Sequence, residues 1–118
     1  MDVDAAFLAS PAVRKWVEGL RSQSGLEVAD DDERLHLLAG FCEATGRTPD
    51  ETVAFCFLRR RETGSRFLSV QRRQTISTEI DGYVESTGRE GHEFVVASNV
   101  LRSFLIHNGV FIGAAAPR

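Results

Sequence analysis

Six arginines crowd one short stretch of this chain, Arg59, Arg60, Arg61, Arg66, Arg72 and Arg73, and Glu62 is the only acidic residue among them. Guanidinium groups bind phosphate through directional, paired N–H donors, so the chemistry this cluster offers first is contact with a phosphate backbone. Of the six, Arg66, Arg72 and Arg73 lie where a linker enters a helix, and these are the candidate phosphate contacts. A second set lies on the last helical segment, where Asn99, Arg102 and Ser103 share a polar face able to address base edges in a major groove. The competing reading is a solvated charged face salt-linked to the acidic first half.

Other chemistries are poorly supplied. His36, His92 and His107 are dispersed, and none stands at a recognised spacing from a serine, cysteine or carboxylate. Cys42 and Cys56 sit among apolar neighbours and read as small buried hydrophobes; a zinc site needs about four closely paired ligands. Asp30, Asp31, Asp32 and Glu33 are adjacent, so their side chains diverge and lack the spacing of a calcium loop. The glycines at 64, 88 and 91 fall in turns, without a preceding strand and phosphate-binding helix. No cofactor, metal or catalytic residue is expected, and an enzyme is the least supported class.

The elements that must position the arginines are helical. At 118 residues, 42% hydrophobic and 26% charged, the chain reads as a single helical domain over residues 1–118, with short flexible ends at about 1–7 and 114–118. No apolar run is long enough to cross a bilayer. The acidic start from Met1 to Asp4 differs from a secretion signal, so a cytoplasmic location is expected. The net charge of -3 is uneven: residues 1–51 hold 5 basic and 11 acidic side chains, residues 52–118 hold 9 basic and 6 acidic. A local basic patch can attract phosphate although the whole chain is acidic.

Ser10-Pro11 opens a first helix to about Arg21 or Ser22, with Val13, Trp16, Val17 and Leu20 on one face. A second runs from a cap in Asp30–Asp32 to about Ala44, on Leu35, Leu38, Phe41 and Cys42. Thr48-Pro49-Asp50-Glu51 is a capping box for a third, whose apolar run from Val53 to Leu58 covers more than one face and predicts a position at the centre of the bundle. Arg59 to Arg61 then complement that helix's negative end. Residues Ser65 to Val70 read as a linker, a fourth helix spans about Val70 to Ser86, and a last one runs from His92 or Glu93 to His107, stopped by Asn108-Gly109. Val110 to Ile112 is an apolar segment that either tucks back onto the bundle or covers a neighbour.

The order of Ser10-Pro11-Ala12-Val13-Arg14-Lys15-Trp16, Leu38-Ala39-Gly40-Phe41-Cys42-Glu43, Gly46-Arg47-Thr48-Pro49-Asp50-Glu51 and Val100-Leu101-Arg102-Ser103-Phe104-Leu105-Ile106-His107-Asn108-Gly109-Val110 resembles the amino-terminal core-binding domain of phage-integrase-type tyrosine recombinases. The resemblance extends over most of residues 8–112. It implies an all-α fold, a compact orthogonal bundle of four or five helices of the SAM-like kind, that clamps duplex DNA opposite a catalytic domain. It also implies that the second and last helices approach DNA, which adds Arg34 and His36 to Asn99, Arg102 and Ser103 as candidate groove contacts. The family's catalytic residues belong to a separate domain, and Tyr83 falls on the apolar stripe of its helix. The expected function is a non-catalytic DNA-binding module. The alternative is a protein-interaction or homodimerisation module, working through the helical surface or Val110–Ile112.

Overall fold

The computed structural model describes residues 1–117; Arg118, the last residue of the expected loose tail, lies outside the described residues. The described chain is a helical bundle of six helices with one short hairpin: α1 (Ala5–Leu8), α2 (Pro11–Ser24), α3 (Glu33–Thr45), α4 (Pro49–Phe55), β1 (Phe57–Arg59), β2 (Arg66–Leu68), α5 (Val70–Ser86) and α6 (Gly91–His107). None of its helices is long and apolar enough to cross a membrane.

Local capping sets the helix starts. Ser10 accepts from Val13 N at the head of α2, Asp32 from Arg34 N at α3, and Ser69 from Arg72 N at α5. At α4 both bonds of the capping box form, Glu51 N to Thr48 Oγ1 at 3.1 Å and Thr48 N to Glu51 Oε1 at 3.0 Å. The stops at Gly25 and Gly46 take the left-handed conformation, φ 65° and 75°. One cap is shared between elements: Asp50, in the first turn of α4, accepts from Ser10 Oγ and from Ala12 N, each at 2.9 Å. That carboxylate therefore sits on the positive end of α2 and fixes α4 beside it.

The core joins Trp16 of α2, Phe41 of α3, Ile76 and Ile80 of α5, and Phe94, Leu101 and Phe104 of α6, all at most 1% exposed. Trp16 meets Phe104 edge to face with centroids 5.5 Å apart, and its indole N–H donates to Ser103 Oγ at 3.2 Å.

Three expectations are corrected here. The helix buried on more than one side is α3, with Leu35, Leu37, Leu38, Ala39, Phe41 and Cys42 inside, whereas α4 is short and buries only Pro49 and Thr52. The run through Leu58 does not stay helical. Its Phe57-Leu58 doublet finds a matching doublet in Phe67-Leu68, and the two pair antiparallel, Phe57 with Leu68, Leu58 with Phe67 and Arg59 with Arg66, so the expected linker at 65–70 is half strand. Within the expected flexible start, Ala5–Leu8 forms α1 and Phe7 is buried. The bundle thus has six helices instead of four or five. After α6, Val110 is fully buried and Ile112 packs on the core, while Phe111 is 71% exposed.

Gly40 of α3, half-buried at the edge of the core, permits a close approach of Tyr83, for a Cβ there would overlap its hydroxyl. Gly40→Ala should destabilise by about 1–3 kcal/mol, despite the better helix propensity of alanine. Adding Tyr83→Phe should recover part of that loss in urea titrations, because it removes the overlapping atom.

Cys42 and Cys56 are both free and buried, and burial, the largest influence, pushes each thiol up to about 11. A thiol pKa raised by folding favours the native state below the unfolded value of about 8.5, an advantage lost as pH climbs toward 11. The urea midpoint should therefore fall over that window, and fall less in Cys42→Ala/Cys56→Ala.

Candidate nucleic-acid interface

The residues singled out by sequence separate into four places. On α6, Arg102 is 4% exposed and its guanidinium is consumed inside: Nη2 donates to Ser77 Oγ at 2.9 Å and Asp81 Oδ1 at 3.2 Å, Nη1 to Gly113 O at 2.9 Å, and Nε to Ser98 Oγ at 3.2 Å. The expected polar face at Arg102 is an interior seam between α5, α6 and the tail, because a buried charge persists only where its donors are paired. Ser103 accepts from Trp16, and Asn99 Oδ1 accepts from Ala115 N at 2.9 Å, so both neighbours also hold the fold.

On α3, Arg34 forms a fork with Asp32, Nε to Oδ1 at 3.0 Å and Nη2 to Oδ2 at 2.8 Å. The Arg34 hydrogen bond holds the Asp32 carboxyl below its usual range, and the same bond raises Arg34. His36 is exposed one turn from this pair, with Asp30, Asp31 and Glu33 also exposed nearby in the chain. That end of α3 presents carboxylates to solvent and its arginine is already engaged.

The third place is the hairpin. Arg59 and Arg66 stand directly opposite each other on β1 and β2, a like-charge cross-strand pair that opposes pairing. Arg66 lies over the Phe57 ring at 3.6 Å and Arg60 over the Phe67 ring at 5.0 Å. Both guanidinium groups thus lie within cation–π distance of an apolar ring. Arg59 Nη1 donates to Gly64 O at 3.0 Å across the turn. Among the described residues, Arg59, Arg60, Arg61 and Arg66 make no ion pair with a carboxylate, and all four are exposed.

Arg72 and Arg73 stay near this hairpin in sequence but are partly buried and tied to the backbone, Arg72 to Phe55 O at 3.3 Å and Arg73 to Phe111 O at 2.8 Å. Arg72 also stacks on Phe55 at 4.5 Å, a ring it shares with Arg47, which is itself forked onto Glu79. Both charges sit in the first turn of α5, the end that favours anions, so the dipole does not explain them.

Between α2, α4 and the hairpin an open groove of about 510 Å³ is lined by Lys15, Arg59, Arg66 and the Asn108 amide, over Val53 and Phe57. Its one carboxylate, Asp50, already caps α2. Sequence reasoning left Lys15 and Arg59, which line this groove, and Arg60, on the turn side of β1, out of the candidate set. The signal that finds the hairpin is the pair of apolar doublets flanking an arginine-rich turn with Gly64, whose φ is 69°.

Comparison of the chain with protein-family models, with curated proteins and with solved structures finds no match.

The buried seam makes a specific demand on Asp81. Asp81→Ala should cost about 2–3 kcal/mol in urea unfolding, less than the roughly 3–5 kcal/mol of a fully orphaned buried charge because the carboxylate is partly exposed. Arg102→Met, which removes the charge itself, should cost less.

Proposed function

We propose that this chain is a non-catalytic duplex DNA-binding module whose contact element is the arginine hairpin. The observation that carries the reading is the exposed ribbon with Arg59 facing Arg66 and with Arg60 and Arg66 stacked on phenylalanines, unmatched by carboxylates among the described residues. Four cations held this close repel one another, and an added polyanion converts that repulsion into attraction. A two-stranded ribbon is also of a size that a major groove admits, where an arginine edge can pair with guanine while its neighbours meet phosphate. Lys15 extends the positive strip along the groove to α2, and Arg72 and Arg73 add to its field from behind.

The acidic end of α3 supports an orientation. Asp30, Asp31 and Glu33 repel phosphate, so DNA approaches from the hairpin side and the α3 end faces solvent. The order of helical motifs supports placing the bundle with the SAM-like core-binding domains of phage-integrase-type recombinases. The contact element differs from the one that resemblance implies, because Arg34, Arg102 and Ser103 are engaged within the fold.

Binding should be tightest at low salt and weaken linearly in log–log form, with a slope of about -0.9 per phosphate neutralised. In a fluorescence titration, Arg59→Ala/Arg60→Ala/Arg66→Ala should flatten the slope by roughly 2–3 with helicity intact. His36→Ala and Asn99→Ala should leave affinity unchanged. A folded wild type that ignores duplex DNA at low salt, or a triple variant that binds as well, would sink the proposal.

A further inference from the structure

The tip of the hairpin carries two hydroxyls among its arginines. Residues 60–65 close the turn, with Arg60 N donating to Ser65 O at 2.9 Å and Gly64 N to Arg60 O at 2.8 Å, and all of them are exposed. Thr63 Oγ1 and Ser65 Oγ lie 2.8 Å apart, and Ser65 N donates to Thr63 Oγ1 at 3.2 Å. Other hydroxyls are committed to helices: Ser10 and Ser69 are buried caps, and Thr75 and Thr78 donate to carbonyls one turn back in α5. Thr63 instead stands on an exposed turn, the kind of segment a modifying enzyme can reach. Arg60 and Arg61 precede it by three and two residues, so an enzyme cleft lined with carboxylates has cations to grip on one side of the hydroxyl.

We infer that Thr63 is a phosphoryl-acceptor site for a protein kinase and that its modification switches the ribbon off. In the transfer, Thr63 Oγ1 bonds to the γ-phosphorus of a nucleoside triphosphate. The bond from that phosphorus to the bridging oxygen breaks, the diphosphate leaves with its electron pair, and the hydroxyl proton passes to the kinase's carboxylate base. The effect on the ribbon follows from charge. Over residues 59–66, four arginines against Glu62 leave a formal charge of +3, and a phosphoryl group of about -2 lowers it to about +1. Arg59 already donates to the carbonyl of Gly64, the residue after Thr63, so its guanidinium sits beside the turn that would carry the charged acceptors. Arginines spent on DNA in the proposed function are then paired within the hairpin. The switch rests on that reading, whereas the acceptor site does not.

The test treats the intact chain with a purified arginine-directed serine/threonine kinase and adenosine triphosphate, maps the phosphate by mass spectrometry, and titrates a fluorescent duplex at low salt. Phosphate should enter at Thr63, disappear from that position in Thr63→Val, and enter at least about fivefold more slowly in Arg60→Ala/Arg61→Ala. The phosphorylated chain should bind the duplex at least about tenfold more weakly than the unmodified chain, with the salt slope flattened by roughly 1–2. A folded chain left unlabelled, or labelled elsewhere with Thr63 untouched, overturns the acceptor site. A phosphorylated chain that binds as tightly as the unmodified one overturns the switch. An unmodified chain that ignores the duplex refutes the DNA reading and the switch with it, and the labelling still decides the acceptor.

Discussion

A guanidinium cannot be buried alone, and the interior position of Arg102 governs much of the rest of this molecule. Its three nitrogens require acceptors, which come from Ser77 and Asp81 on α5, Ser98 on α6 and the carbonyl of Gly113 beyond it. Satisfying them fixes the register of the two longest helices and draws the chain after α6 back across their junction. Val110 follows into the core and the Ala115 amide reaches Asn99. The polar side of α6 is thereby spent on holding the fold, and little of it remains to read a ligand.

The same economy sends the free positive charge elsewhere. Helix α4 stops at Phe55 because the residues beyond it pair as strand with Phe67 and Leu68, and the arginines that a longer helix would have carried are carried out on a ribbon instead. Arg72, forked against Phe55 and its carbonyl, and Arg73, bonded to Phe111 O, buttress the base of that ribbon. The arginines on the ribbon have rings to rest on and no carboxylate to neutralise them among the described residues. Positive charge is thus concentrated by the fold, in a chain whose net charge is negative.

Much of the helical framework was legible in the residues. Ser10-Pro11, the Thr48/Glu51 box and the glycines after α2 and α3 are local signals, and each acts through bonds within a few residues of itself. The apolar stripes of α2, α5 and α6 follow a 3.6-residue period that needs no partner to be seen. What was illegible depends on contacts distant in sequence. Arg102 shares a helical face with Asn99 and Ile106, and nothing nearby announces that Asp81, some twenty residues back, will neutralise it. Phe57 and Leu58 continue a helical run as well as they begin a strand, until Phe67 and Leu68 are set against them. Arg34 is a surface arginine by composition, and only its bond to its own helix cap removes it from use. The candidate site is therefore half visible: Arg66 is legible from charge density, whereas Arg59 and Arg60 join it only once the strands pair, and Lys15 only across the groove between α2, α4 and the hairpin.

In the proposed function the hairpin, and not the last helix, is the face that meets DNA. Backbone amide shifts of the labelled chain, followed by nuclear magnetic resonance during titration with a short duplex at low salt, test it most directly. The largest changes are expected at residues 57–68 and around Lys15, with residues 34–36 and 99–103 little moved. Changes centred on Arg34, His36 and Asn99 to Ser103, with the hairpin silent, would contradict it.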